Sequence, residues 1–343
     1  MAEPPKLVPE RPHGVRVVVV GASAGGVEAL VKFVGSLSVG VPYAVLVVLH
    51  VSPAGTSVLP SILARAARVP VASPGDGDLL RGGHVYVAPP DRHLLVEDGR
   101  LRLSQAPREN GHRPAIDPTM RSAAQHYGPA TLGIVLSGSR DDGTAGLLAI
   151  KDHGGLALAQ DPDEALYAGM PRSAIHHVAL DAVLPVDSMA DWILGHVDDE
   201  HRIPKGAAAP DNPGESGLGL APSVPEAEGD GTRFTCPDCG GVLFERWEGH
   251  LERFECSVGH VFSIDSLVAA QADGLENALW AAVRTLEDRV ALLGRMAARA
   301  ERSEHPRSAL AFQGQARELA ERARIIRIAI EQVTADRTQA VEA

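Results

Sequence analysis

Aromatic side chains are scarce in this sequence: six Phe, four Tyr and three Trp make up 4% of 343 residues. Any core must therefore be assembled from Val, Leu, Ile and Ala. Cysteine is rarer still, at three, which excludes a disulfide framework and points to a reducing, cytoplasmic setting. No apolar run approaches the ~20 residues of a bilayer crossing, the longest being Val41 to Val51. The opening MAEPPKLVPERPHG has no apolar h-region, so neither export nor membrane insertion is expected. Basic residues are in deficit, 32 Lys+Arg against 44 Asp+Glu for a net charge of −12, which argues against nucleic acid as a partner.

What is present is strand–helix alternation. Arg16–Val20, Tyr43–Leu49, His84–Ala88, Gly133–Leu136, Leu156–Ala159 and Ala182–Val186 read as short, almost purely aliphatic strands. Strands apolar at every position, rather than at alternate ones, are buried on both faces, as in a parallel sheet covered by helices. Helical stretches fall between them: about Gly26–Leu37, Pro118–Tyr127, Thr144–His153, a helix after Pro171, and Met189–His196. A hairpin is expected from Leu94–Glu97 and Leu101–Ser104 across Asp98-Gly99. These βα units predict a doubly wound, mostly parallel α/β domain over residues 14–197, behind a flexible leader over 1–13.

Residues 198–231 are rich in Gly, Pro, Ala and acids and read as a flexible linker. A compact segment over 232–262 holds all three cysteines. Residues 263–343 turn helical. Leu275, Leu279, Val283, Leu286, Val290 and Leu293 form one heptad-like stripe, and Phe312, Ala316, Leu319, Ala323, Ile326, Ile330 and Val333 form another. The two stripes predict a helical hairpin, self-association or the docking of a regulatory partner.

Three motifs at strand ends carry chemistry. Gly21-Ala22-Ser23-Ala24-Gly25 fits G-x-S-x-G, which displays a serine hydroxyl between a strand and a helix N-terminus. A capping serine and a dinucleotide loop are the rival readings, although G-x-G-x-x-G needs glycine where Ser23 stands. His50 ends the second aliphatic run, where it could activate Ser23. Asp141 and Asp142 follow the Gly133–Leu136 strand as candidates to orient the imidazole, and spacing does not choose between them.

In order along the chain, GASAGG, VLHVSPAG, VYVAPPDRHLLV, RPAIDPTMRSAA, LSGSRDDGTAG and AQDPDEALYAGMPRSAI resemble the CheB-type chemoreceptor glutamate methylesterases, over about residues 15–190. The resemblance implies a doubly wound α/β fold and hydrolysis of γ-glutamyl methyl esters on the cytoplasmic helices of chemoreceptors, some members also deamidating glutamines. It places the catalytic serine on Ser23, the histidine on His50 and the aspartate on Asp142, which settles the choice between the two acids. No cofactor is implied for catalysis. Backbone N–H groups at Ala24 and Gly25 are the candidate oxyanion site, with Ser139 beside them. Two departures stand out. Gly138-Ser139-Arg140 replaces the family's Gly-Met-Gly. Only 13 residues precede Gly14, so the family's receiver domain is not in this sequence, and control is expected to be absent or to come from the C-terminal half. Two rival functions are a receptor-binding scaffold whose Ser139-Arg140 change has impaired catalysis, and a nucleotide-dependent oxidoreductase.

The cysteines stand on their own chemistry. Cys236-x2-Cys239, sixteen residues, then Cys256-x3-His260 gives two glycine-bearing knuckles able to close a tetrahedral site of three sulfurs and one nitrogen, a zinc-ribbon-like module around structural Zn2+. His250 is a competing fourth ligand. Arg113, Arg121 and Arg172 are candidates to meet carboxylates on a receptor helix.

Overall fold

The computed structural model describes residues 17–197 and 232–342; the expected leader over 1–13 and linker over 198–231 lie outside the described residues. The first half opens with β1 (Val17–Ala22), α1 (Gly26–Ser36), β2 (Ala44–Leu49), α2 (Leu59–Ala66), β3 (Val71–Ala72) and β4 (Val85–Val87). The antiparallel pair β5 (His93–Glu97) and β6 (Arg100–Ser104) follows, turning at Asp98-Gly99. Then come α3 (Ile116–Tyr127), β7 (Thr131–Val135), α4 (Thr144–Asp152), β8 (Leu156–Gln160), α5 (Gly169–His177), β9 (Ala182–Leu184) and α6 (Val186–Val197).

Seven strands form one sheet in the order β3-β4-β2-β1-β7-β8-β9, every pairing parallel. All six residues of β1 and of β2 are buried, as their uninterrupted aliphatic character predicts. Successive side chains serve opposite faces. Val18, Val20, Val45 and Val47 pack with Leu30 and Phe33 of α1, Leu63 of α2 and Met189 and Ile193 of α6. Val17, Val19, Leu46 and Val48 pack with Ile116 and Met120 of α3, Leu147 of α4 and Met170 of α5. Each large aliphatic or Phe side chain so buried contributes roughly 1.5–3 kcal/mol, and the two cores hold the sheet rigid from both sides.

The chain adds strands to one side of β1 (β2, then β4 and β3) and afterwards to the other (β7, β8, β9). β1 and its neighbours thus form the switch point of the topology, and the crevice beyond their carboxyl ends is where such sheets bind ligands.

Three helices begin earlier than the sequence suggests, or were not expected. Pro60, Pro118 and Pro171 sit in the first turns of α2, α3 and α5. There a proline's missing N–H costs nothing, so it opens a helix rather than preceding one.

After residue 231, β10 (Leu243–Glu248), β11 (Leu251–Cys256) and β12 (Val261–Ser263) form a three-stranded antiparallel sheet. Two long helices follow, α7 (Ile264–Arg302) and α8 (Pro306–Glu342). The chain divides into two compact units at Leu267/Val268. The small sheet therefore belongs to the same unit as the α/β sheet, and the remainder of α7 with α8 forms the other. Within that second unit the helices run antiparallel: Gln313 donates to Glu301 at 2.7 Å, and Arg327 is paired with Glu287. Val283, Leu319, Ala323 and Ile330 of the expected stripes are buried. Leu275 is exposed instead, and the side chain of Val333 lies outside the described residues. No described helix is long and apolar enough to cross a membrane.

Candidate active site and metal centre

Ser23 follows β1 directly, and its N–H donates to Ser137 O beyond β7 at 2.9 Å. Gly138 abuts it. A Cβ on Gly138 would come within 2.0 Å of Met170 Sδ and 3.0 Å of Ser23 Cβ, so only glycine lets the loop after β7 lie against the serine. Helix α1 starts three residues past Ser23, aiming its N-terminal amides and partial positive charge at this end of the sheet. His50 is the residue after β2, and its N–H donates to Ala22 O at 3.2 Å. Adjacent parallel strands end on the same side, which brings residues 23 and 50 together.

His50 Nδ1 lies 3.1 Å from Ser23 Oγ, and His50 Nε2 lies 2.6 Å from Asp142 Oδ2. Asp142 is 2% exposed, and every polar atom given to its carboxylate is a potential donor. Oδ2 also accepts the Ile116 N–H at 2.8 Å, while Oδ1 accepts from Asn110 Nδ2 at 3.0 Å and from the Asp117 N–H at 3.3 Å. Burial alone would raise this acid, but the bond and charge of His50, with the first amide of α3, overcome it and hold Asp142 well below the usual carboxylate range. The neighbouring Asp141 turns away and accepts from Ser263 and Ser266. Ser23, His50 and Asp142 thus come together; Asp141 does not join them.

One neighbour of the ring carries no sequence signal. His112 stacks on His50 with centroids 3.7 Å apart and planes 10° from parallel. Burial and the adjacent imidazole push His112 down to about 3, so it is a neutral plate against which His50 keeps its orientation.

Ala24 lines the groove over Ser23, and Ser137 Oγ donates to its carbonyl at 2.8 Å, fixing the peptide next to the serine. Ser139 is exposed on the loop after β7. Arg140 holds φ at +67°, so the left-handed backbone is kept at the second glycine position of the family pattern, where an L-residue is strained.

Of the three arginines expected to face a substrate, Arg113 lines the groove over Ser23 while paired within the chain, and Arg121 is engaged elsewhere. Arg113 binds Asp91 at 2.7 and 3.0 Å and the carbonyls of Gln105 and Ala106. Arg121 binds Glu109 and approaches Glu248 of β10. These are buried or half-buried structural pairs that sequence cannot distinguish from surface charge. Arg172 is exposed on α5. Arg108, not singled out by sequence, lines the groove with Ser23, His50 and Ser52.

Cys236, Cys239, Cys256 and His260 place one ligand atom each within 4.8 Å of all the others. Cys239 Sγ lies 3.6 Å from Cys256 Sγ, and His260 Nδ1 lies 3.7 and 3.5 Å from the sulfurs of Cys236 and Cys256. Ligands ~2.0–2.3 Å from a tetrahedral zinc stand about 3.5–3.8 Å apart, so the donor set fits the ion in chemistry and in size. Each knuckle turns on a glycine that closes back onto its first cysteine. Gly240 N–H donates to Cys236 O and Gly259 N–H to Cys256 O, both at 2.8 Å, and both glycines have positive φ. His250 is not in the cluster; its ring lies 6.1 Å from that of His177.

A Ser–His–Asp constellation at the switch point of a parallel α/β sheet is the arrangement of a serine hydrolase. The chain belongs to the CheB methylesterase family, whose model matches residues 18–193, just over half of its length. It is 42% identical over 181 residues to a protein-glutamate methylesterase/protein-glutamine glutaminase of Anaeromyxobacter dehalogenans, covering 53% of each chain. It is 37% identical over 198 residues to one from Rhodospirillum rubrum, covering 56% of this chain and 51% of that one. The chain therefore spans about half the length of the curated relatives it matches. Among solved structures, the CheB methylesterase catalytic domain of Thermotoga maritima superposes with a TM-score of 0.51 at 32% identity, over 53% of this chain and 98% of that one.

Proposed function

We propose that this protein hydrolyses γ-glutamyl methyl esters on chemoreceptor helices, with Ser23 as nucleophile, His50 as general base and acid, and Asp142 as the group that orients and charge-balances the imidazole. The single observation that carries this reading is the unbroken line from Ser23 Oγ through the His50 ring to Asp142. Nδ1 takes the Ser23 proton as Oγ attacks the ester carbonyl. The tetrahedral oxyanion is met by N–H groups at Ala24 and Gly25, where α1 begins, with Ser139, one residue beyond the Gly138 that abuts Ser23, as a further donor. Collapse returns the proton to the methoxide and releases methanol, leaving a Ser23 acyl-enzyme. Water, deprotonated by His50, attacks this ester and restores the hydroxyl and a free glutamate. A glutamine side chain enters the same cycle with ammonia as the leaving group, in keeping with the double name of the relatives.

The groove above Ser23 is open, and Arg108 on its wall suits the acidic surroundings of a methylation site. Zn2+ in the Cys236/Cys239/Cys256/His260 site is structural, since four protein ligands leave no open position. The module is too small for a core of its own, and metal binding supplies much of its folding free energy. Three reduced cysteines agree with a cytoplasmic setting.

The test is incubation with methylated receptor cytoplasmic fragments, following methanol release and the mass at each glutamate, alongside labelling by a serine-reactive phosphonate. Methanol release with a label on Ser23 is the expected outcome. A folded protein that does neither refutes the hydrolase reading.

A further inference from the structure

The triad carboxylate is gripped from behind by the small sheet. Asn110, which donates to Asp142, is fastened on its far side to both ends of β12: its own N–H donates to Val261 O at 2.7 Å, and its Oδ1 accepts the Ser263 N–H at 3.1 Å. Ser263 Oγ also donates to Asp141 at 2.8 Å, and Ser266 Oγ to the same oxygen at 3.1 Å. From β11, Arg253 reaches inward with 1% of its surface exposed. Its Nη2 donates to Glu109 at 2.7 Å and to Asp117 at 3.1 Å. Asp117 in turn caps α4, accepting the Gly143 and Gly146 N–H groups at 2.9 and 2.7 Å, and also accepts from Asn110 at 3.2 Å.

Glu109, Asp117 and Asp142 are three buried acids in one network. Burial and the charge of Asp142 both push the Asp117 carboxyl up, and Arg253 opposes them. A buried guanidinium carries a large desolvation cost, and apolar residues of similar volume often serve stability as well or better. What an apolar residue could not do is fix where two carboxylates sit relative to a third. We propose that Arg253 and β12 form a positioning device for the active site, holding Asn110 and Asp117 and, through them, the Asp142 carboxylate that orients His50. Arg253 touches neither Ser23 nor substrate; it is a positioning residue contributed by the Cys/His sheet. This rests on the esterase reading of the same site.

The experiment uses the protein with its metal bound, and compares Arg253→Met, Arg253→Lys and Asn110→Ala at matched zinc content and far-UV circular dichroism. Two readouts are taken: kcat and KM for ester hydrolysis, and the downfield proton resonance of the His50 Nε2–H facing Asp142. Arg253→Met is expected to lower kcat by roughly ten- to a hundredfold, the usual effect of removing an outer partner of a functional group. KM should stay within about twofold, the resonance should weaken or shift, and Arg253→Lys should recover most of both. A folded Arg253→Met protein with wild-type kcat and an unmoved resonance overturns the proposal. If that variant does not fold, Asn110→Ala, which removes the side chain linking β12 to Asp142, decides: a severalfold loss of kcat with a shifted resonance supports the device, and no change in either overturns it. Should the wild-type protein neither hydrolyse esters nor label at Ser23, the esterase reading alone falls, and the resonance comparison still tests the positioning.

Discussion

Two sheets of the first unit, the seven-stranded and the three-stranded, do their work by opposite means. The seven-stranded sheet is held by aliphatic side chains on both faces, with every residue of β1 and β2 buried. Its polar chemistry is confined to the rim where β1, β2 and β7 end. The three-stranded sheet has little apolar interior: Leu243, Phe254, Val261 and Phe262 are buried, but Trp247 and Val242 are exposed. It carries instead a cluster of three cysteines and a histidine close enough to hold a metal, one deeply buried arginine and bonds to Asn110. A large sheet can carry a reactive site as an addition to a core that does not depend on it. A small one has no such separation: Arg253 and the bonds to Asn110 that hold it lead, through Asn110 and Asp117, to the carboxylate of Asp142.

The largest test of this contrast is Cys256→Ser. Losing one thiolate from a site whose apparent folding contribution is on the order of 10 kcal/mol should release the small sheet. The α/β sheet should keep its circular dichroism, and thermal unfolding should split into two transitions. A single, unshifted transition would mean that the module is held without metal. Ser23→Ala probes the other side of the comparison: ester hydrolysis should fall by about 10^4-fold or more while the melting temperature stays within a few degrees. Retained turnover in a well-folded variant removes Ser23 from its role. Leu46→Ala, in the fully buried β2, should cost about 2–5 kcal/mol in denaturant titration while kcat per folded molecule is little changed. The smallest effect concerns His112. Its neutral form is favoured in the fold and its pKa is depressed from 6.5 to about 3. The unfolded chain therefore binds the extra proton first, and this contribution to stability is complete above pH 6.5 and is lost as the pH falls toward 3. His112→Gln should flatten the stability profile across that window; an unchanged slope would show that His112 is solvated like a free imidazole.

Much of the fold was legible because buried parallel strands announce themselves as unbroken aliphatic runs. Val17–Ala22 and Ala44–Leu49 each stand out within a residue or two of their observed ends. The two-residue β3 is too short to carry a period, and α2 was hidden by Pro60 in its first turn. Ser23 and His50 could be picked out because each follows such a strand, and they meet because β1 and β2 are paired neighbours; the strand before them marks Asp141 and Asp142 equally, and only the family resemblance chose Asp142. The layer behind them could not be found this way. Glu109, Asn110, His112 and Asp117 lie in a loop and a helix start without a strand to mark them, and Arg253 reaches Asp117 across 136 residues. Whether an arginine is surface charge or a buried partner is decided by what the fold sets opposite it, which is also why the pairings of Arg113 and Arg121 are not legible in the sequence.

The way the His50 ring is turned has a consequence of its own. With Nδ1 toward the serine and Nε2 toward the aspartate, a ring that accepts the serine hydroxyl carries its hydrogen on Nε2, the tautomer that free neutral histidine already favours in water. The carboxylate is therefore spared the task of enforcing an unfavourable tautomer, and its contribution is left to aim and to balancing the imidazolium as it forms. Replacing that carboxylate by an amide should accordingly be less damaging here than where the ring is presented the other way round.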